Sequence, residues 1–190
     1  MKGYIYTMYK GADPGAGWKM SDPDIYSATP SLGACVPNVR RAVNEGDYIF
    51  IVSGRIASMR QFVVGGFQVA EKIDALSAFD RFPEKRLKRD DETGQILGNI
   101  IVDKYGNHSG LDDHKNFDRR VENYIVGRNP EAFKDALEIE VARDQSLGML
   151  KKVFHVENAN KMHDVIARWR KLDKEQVEVI LAWIRKIKGG

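Results

Sequence analysis

The sequence contains one cysteine, Cys35, and no long apolar run. A single thiol cannot form a disulfide within the chain, so nothing in the cysteine content requires an oxidising compartment. No stretch of about 18 uncharged apolar residues occurs, as a membrane-spanning helix would need. The first residues, MKGYIYTMYK, also lack an apolar run followed by a small-residue cleavage site. We therefore expect a cytoplasmic protein with no membrane segment.

Several common catalytic motifs are missing as well. The glycine-rich stretch GADPGAG, residues 11–17, lacks the terminal Lys-Ser/Thr of a phosphate-binding loop. The sequence has neither a Gly-x-Ser-x-Gly elbow nor a His-Glu-x-x-His zinc motif. We predict no cofactor and no metal site, and the residues alone leave open whether the protein is an enzyme.

The composition is that of an ordinary globular protein, with 43% hydrophobic and 30% charged residues and a net charge of +3. The charge is unevenly distributed. Residues 151–190 carry ten Lys or Arg against five Asp or Glu, so the rest of the chain is slightly acidic. A basic end of this kind would attract phosphate groups.

The hydrophobic pattern predicts strands in the first two thirds of the chain, interrupted by short helices. Strands are predicted at residues 3–9, 48–53, 62–73 and 123–127, and residues 98–109 are predicted to form a strand that enters a turn. Within residues 62–73, Gly65 and Gly66 predict a bulge. Helices are predicted at residues 37–44, which begin with Pro37, and at residues 74–82, which Asp74 caps.

The period becomes helical in the last third of the chain. Apolar residues recur at helical spacing in two runs, which are Met162, Val165, Ile166, Trp169 and Leu172, then Val177, Ile180, Leu181, Ile184 and Ile187. Asp173 and Gln176 form a capping box at the start of the second run. We therefore predict a barrel domain over residues 1–130 and a helical segment over residues 131–190, packed on or beside it.

Strands in this order, with inserted helices, are typical of a small mixed barrel and not of a βαβ sheet. The stretch LGACVPNVRRAVNEGDYIFIVSG, residues 32–54, followed by FVVGGFQVAEKI, residues 62–73, resembles the second of the nucleotide modification associated domain families. Its plan is also similar to PUA-like barrels, including EVE and ASCH relatives. The matched positions are Cys35, Pro37, Arg40, Arg41, Gly46, Asp47, Ser53 and Gly54. The resemblance implies an α+β fold, namely a small PUA-like mixed β-barrel with inserted short helices and a helical C-terminal extension, and a link to DNA modification or phage-defence systems.

The candidate ligand-binding residues flank the strand at residues 48–53. An arginine side chain suits two phosphate oxygens or a base edge, and equally suits an internal carboxylate such as Asp47. Small residues at a strand end let the main chain approach a planar ligand, which aromatic rings could cover. The predicted ligand-binding residues are Arg40, Arg41, Ser53, Gly54, Arg55, Trp18 and Phe50.

Three functions remain open from the sequence. The leading hypothesis is a binding module that recognises a nucleotide or a modified nucleobase in nucleic acid. The second is a small enzyme acting on a modified nucleotide, in which Cys35 or the cluster Asp112, Asp113 and His114 carries the chemistry; a histidine beside Cys35 in the fold would favour it. The third is a protein-interaction module that buries Trp169 and Trp183 against a partner. The sequence also leaves a homodimer open.

Overall fold

The computed structural model describes residues 1–189, and Gly190, the last residue of the predicted helical segment, lies outside the described residues. The described chain mixes strands and helices. The strands are β1 (Gly3–Thr7), β2 (Ser31–Leu32), β3 (Tyr48–Val52), β4 (Val63–Ile73), β5 (Lys88–Arg89), β6 (Ile96–Leu97), β7 (Tyr124–Ala132) and β8 (Trp169–Leu172). The helices are α1 (Pro37–Ala42), α2 (Ala75–Arg81), α3 (Asp118–Val121), α4 (Ala136–Phe154), α5 (Met162–Ile166) and α6 (Lys174–Lys188).

Six strands form one sheet in the order β2-β7-β4-β3-β1-β8, and β5 pairs with β6. The sheet is mixed, because β1 runs parallel to β3 whereas β3 and β4 are antiparallel. The predicted α+β class is confirmed. Closure of the sheet into a barrel is not shown, so the barrel stays a prediction.

Contacts divide the chain into two compact units, each assembled from separate segments. The first unit contains residues 1–18, 46–68 and 129–190, and the second contains residues 19–45 and 69–128. The predicted division into residues 1–130 and 131–190 stays a prediction.

In the first unit, β3 lies between β4 and β1 in the sheet. Every residue of β3 is buried, and β3 pairs with β1 and with the first half of β4. The register between β3 and β4 shifts between Ile51 and Val52, opposite Gly65, where a bulge was predicted. Gly65 has a φ of +152°, and a Cβ there would lie 2.2 Å from the Glu131 carbonyl oxygen, so only glycine fits.

The second unit has its own apolar cluster between α2 and the start of β7. Its fully buried members are Ala75, Ala78, Ile100, Val102, Tyr124 and Val126. The side chain of Asp74 accepts a hydrogen bond from the main chain of Ser77 and caps α2, as predicted.

Two predictions on secondary structure are wrong. Residues 98–109 form no strand and make only isolated bridges, at Ile100, Val102 and His108. The helical run ending at Leu172 is helical only over α5, because Trp169–Leu172 pairs antiparallel with β1 as β8. The longest helix, α4, lies within the predicted helical segment of residues 131–190, but its own bounds were not predicted. By contrast, α6 begins at the predicted capping box of Asp173 and Gln176. Over residues 1–189, no helix combines the length and apolar character needed to cross a membrane.

Candidate functional site

Arg40 lies in α1, and its side chain is fully buried, with 0% exposure. The guanidinium donates to the main-chain carbonyls of Ala34 and Cys35 at 3.1 and 2.9 Å, immediately before the helix. It also donates to the carbonyls of Arg120 and Asn123 at 3.0 and 2.5 Å. The side chain therefore ties two segments of the second unit together. Contact with a ligand would require one of these bonds to open, and the ligand-binding role of Arg40 stays a prediction.

Arg41 has the opposite environment, because successive helical residues point about 100° apart. Its side chain is exposed, and its guanidinium donates to the side-chain oxygen of Asn38 at 2.9 Å. The main-chain carbonyl of Arg41 accepts a hydrogen bond from Lys72. Of the two arginines, Arg41 is the one whose charge a ligand could meet without any rearrangement.

The loop at residues 33–35 is fixed from both sides of its main chain. The Asp22 carboxylate accepts from the N–H groups of Gly33, Ala34 and Cys35 at 2.8, 3.0 and 2.6 Å. On the carbonyl side, Ala34 accepts from Arg120 at 2.5 Å in addition to Arg40. Hydrogen bonds to charged groups are the stronger ones in proteins, so this loop holds Cys35 in a defined position.

Ser53, Gly54 and Phe50 lie inside the first unit. Phe50 and Ser53 are both 0% exposed, and the Ser53 hydroxyl accepts a hydrogen bond from the main chain of Phe62. A Cβ on Gly54 would lie 1.9 Å from the carbonyl oxygen of Tyr9. These residues therefore seal the end of β3 and let the loop after β1 approach closely. Their direct contact with a ligand stays a prediction.

The surface next to this strand end combines aromatic rings with a cation. Tyr9 is 52% exposed, and its ring meets that of half-buried Trp18 edge to face, with centroids 5.4 Å apart at 89°. The main chain of Arg55 accepts from Gly11 at 3.1 Å, which brings exposed Arg55 to the same loop. We call Tyr9, Trp18 and Arg55 the aromatic edge. Trp18 and Arg55 were predicted from the sequence as ligand-binding residues. Tyr9 was not, because an exposed residue beside buried Met8 is also typical of the end of a strand.

An open depression of about 380 Å³ lies on the same loop, in the first unit. The residues that line it are Pro14, Gly15, Lys134, Ala136, Ile139, Glu140 and Arg143. Arg143 is held there by Asp13, whose two carboxylate oxygens lie 2.6 and 2.9 Å from its guanidinium. Asp13 is 1% exposed, so this ion pair fixes the loop against α4.

In the second unit, a histidine lies beside the cysteine. The Sγ atom of Cys35 is 4.0 Å from Nε2 of His114, and Nδ1 of His114 is 2.6 Å from Asp112. The other carboxylate oxygen of Asp112 lies 2.6 Å from His108. We call Cys35, His114 and Asp112 the thiol cluster. Spacing along the chain could not reveal it, because Cys35 and His114 are far apart in sequence.

The charges around the thiol cluster shift its proton affinities. Burial and the neighbouring Asp22 raise the pKa of the Cys35 thiol, and the guanidiniums of Arg120 and Arg40 oppose that rise. The hydrogen bond with Asp112 raises the pKa of His114, against the effect of burial. Burial and Asp22 thus favour the protonated thiol of Cys35, and the carboxylate of Asp112 favours the protonated form of the imidazole.

Burial alone would raise the pKa of Asp112, but its hydrogen bonds with His114 and His108 lower it. Asp112, Asp113 and His114 each offer a ligand atom within 4.8 Å of the others. Both oxygens of Asp112 already bond the two histidine rings, and Asp113 is exposed. We assign no metal to this group.

The two tryptophans predicted to meet a partner differ in environment. Trp183 packs edge to face on Phe133 with centroids 5.5 Å apart, and its indole donates to Gln145. Trp169 is 40% exposed on β8 and lies 6.1 Å from the ring of Tyr4. Trp183 therefore makes its contacts within the first unit, whereas Trp169 lies on β8, the last strand in the order of the six-stranded sheet.

Comparison with known proteins does not place the chain in a family. No family model matches it, and no curated protein matches it. Among solved structures, the crystal structure of human THYN1 in complex with 5-methylcytosine-containing DNA is similar at 12% identity, covers 97% of this chain and 98% of that chain, and has a TM-score of 0.43. Likeness at this level assigns neither a fold nor a ligand, and the resemblance to the nucleotide modification associated domain family stays a prediction.

Proposed function

We propose that the protein is a nucleic-acid-binding module that holds a nucleotide or a modified nucleobase on the aromatic edge. The observation that carries the proposal is the pairing of exposed Tyr9 with half-buried Trp18 at 5.4 Å, on a loop that also meets exposed Arg55. A flat base can stack on such a ring, and the arginine can meet the phosphate attached to it.

The rigidity of the strand end supports the same function. Gly54 lets the loop after β1 contact the end of β3, and its N–H donates to Ala12 at 2.6 Å. A ring held by such a loop loses little conformational freedom when a base stacks on it. The link to DNA modification or phage-defence systems depends on the family resemblance alone and stays a prediction.

The test measures affinity for labelled single- and double-stranded DNA, with and without modified bases, alongside free nucleotides. Loss of one stacking ring in Tyr9→Ala or Trp18→Ala should cost about 1–3 kcal/mol, which is roughly a 5- to 150-fold weaker Kd. Arg55→Ala should reduce the dependence of log K on log salt by about 0.7 for a single strand, the contribution of one phosphate.

The matched control is Trp169→Ala, because Trp169 is an exposed tryptophan of the same unit that lies outside the aromatic edge. This control should bind as the wild type does. Wild-type affinity in both Tyr9→Ala and Trp18→Ala, or equal loss in Trp169→Ala, would contradict the proposal. Preference among the modified bases identifies the ligand if binding is found.

A further inference from the structure

Cys35 is the only thiol in the chain, and the structure surrounds it with the parts of a nucleophilic site. Nucleophilic catalysis needs a nucleophile, a base within reach of its proton, and a third group that orients the base. His114 Nε2 lies 4.0 Å from the sulfur, and Asp112 holds the opposite ring nitrogen at 2.6 Å. Such distances are often long before a substrate binds, so 4.0 Å is within the range of a functional pair.

The orientation of the imidazole follows from its carboxylate partner. In the neutral ring, Nδ1–H donates to Asp112, so the lone pair of His114 is on Nε2 and faces the sulfur. Asp112 is itself well fixed, because its side chain is 4% exposed and its second oxygen bonds His108. His108 in turn stacks on Phe117, with ring centroids 4.5 Å apart. The base therefore has one defined tautomer and one defined direction.

The nucleophile is positioned as firmly as the base. Asp22 binds the N–H group of Cys35, and Arg40 binds its carbonyl, so the main chain on both sides of the side chain is held by charged groups. The cysteine residue is half-buried. A thiol in a purely structural role needs neither this clamp nor an oriented imidazole.

We propose that the thiol cluster is a reactive site in which Cys35 forms a covalent bond with a neutral carbon electrophile. The sulfur forms the S–C bond as the bond from that carbon to its leaving group breaks. The leaving group departs with the bonding electron pair, and the thiol proton passes to Nε2 of His114. His114 and Cys35 are the catalytic residues, and Asp112 is a positioning residue that stabilises the imidazolium.

A neutral reagent fits the local charge. Two carboxylates, Asp22 and Asp112, and two guanidiniums, Arg40 and Arg120, act on the thiol or the imidazole. These charges offset one another, so the site has no excess charge that would draw in an ion. The site lies in the second unit and does not depend on the aromatic edge, so it can be tested separately.

Iodoacetamide is the probe, and the native protein is the reactant. Because the chain has one cysteine, each adduct seen by intact-mass spectrometry reports Cys35, and Cys35→Ser is the blank. Native protein should react faster than the urea-unfolded chain at neutral pH. His114→Ala should lower the native rate by about 10²-fold, the lower end of what a positioned base contributes.

His163→Ala is the control, because His163 is an exposed histidine of α5, in the first unit, and lies outside the thiol cluster. Its rate should stay near that of the wild type. His114→Gln covers the case in which the alanine variant unfolds, because an amide fills similar space but cannot accept the proton. Near-ultraviolet circular dichroism identifies the variants that fold.

The pH profile separates a base from a structural histidine. The groups that act on His114 are Asp112, Arg120 and Asp22, and the imidazole accepts a proton only above its own pKa. The rate should therefore rise as His114 loses its proton and then level off. Asp112→Asn should move the midpoint to lower pH, because it removes the bond that raises the pKa of His114.

Three results would overturn the proposal. One is native protein that reacts more slowly than the unfolded chain. Another is folded His114→Gln that reacts at the wild-type rate. The third is an equal loss in His163→Ala and His114→Ala, which would mean that the loss of rate is not specific to the thiol cluster.

Discussion

Replacement of Arg40 by alanine separates structural from ligand-binding roles for the two adjacent arginines. Arg40 is fully buried and donates to the carbonyls of Ala34, Cys35, Arg120 and Asn123. In Arg40→Ala, Ala34 keeps the donor from Arg120, while the other three carbonyls lose this partner. We expect a large loss of stability in the second unit.

The magnitude follows from the number of carbonyls left without this donor. Each buried polar group left unsatisfied costs about 1–3 kcal/mol. Three unsatisfied carbonyls would lower the free energy of unfolding by more than most single substitutions do. The three bonds are only partly buried, however, so water can enter and satisfy part of what is lost. We therefore expect Arg40→Ala to lower the free energy of unfolding by about 3–5 kcal/mol. Arg40→Lys should lower the free energy of unfolding by about 2 kcal/mol, because an ammonium group cannot reproduce the planar set of N–H donors of a guanidinium.

Urea unfolding followed by circular dichroism measures this loss, with Arg41→Ala as the neighbouring control. The side chain of Arg41 is exposed and donates to the side chain of Asn38, so its loss should change stability by about 0.5 kcal/mol or less. The reasoning is refuted if Arg40→Ala costs less than about 1 kcal/mol, the typical value for a point mutation. It is also refuted if the two alanine variants are equally stable.

Two further predictions concern Gly54 and His114. Gly54→Ala should lower stability by about 1–3 kcal/mol and weaken oligonucleotide binding, because the new Cβ would lie 1.9 Å from the Tyr9 carbonyl oxygen and displace the loop; unchanged urea midpoint and affinity would contradict the described contact. An NMR titration should place the pKa of His114 above its ordinary value of about 6.5, and Asp112→Asn should lower it, since that hydrogen bond is the main cause of the rise; a normal pKa in the wild type would show that the Asp112 contact does not persist in solution.

The sequence predicted the elements whose own residues determine them. The Asp74 cap and the capping box of Asp173 and Gln176 are local patterns, and the structure contains both. The strands at β3 and β4 and the bulge opposite Gly65 were predicted in the same way, because glycine and β-branched residues act within a few positions.

Elements that depend on distant partners were not predictable. Residues Trp169–Leu172 continue a helical pattern, yet pairing with β1 makes them a strand. The inward face of α4 carries Ala142 and Ser146, and the Ser146 hydroxyl accepts from Val63 at 2.9 Å. Small and polar buried residues of this kind give little helical periodicity, so the bounds of the longest helix were not predicted within the helical segment.

The residues of the candidate sites differ in the same way, because some were predictable from the local sequence and others meet only in the fold. Trp18 and Arg55 were named from their sequence neighbourhood, and the structure brings both to one loop. Cys35 and His114 meet through a fold contact across many residues, which no spacing rule contains. The burial of Arg40 also could not be foreseen, because adjacent arginines in a short helix have the same local sequence and opposite surroundings.

The most direct test of the aromatic edge is an NMR titration with a single-stranded oligonucleotide. The chain has three tryptophans, so the three indole N–H signals report Trp18, Trp169 and Trp183 separately. We predict that the Trp18 indole and the main-chain amides of residues 54–55 shift with ligand, while the Trp169 and Trp183 indoles stay in place. A bound oligonucleotide that leaves the Trp18 indole unmoved would contradict the account.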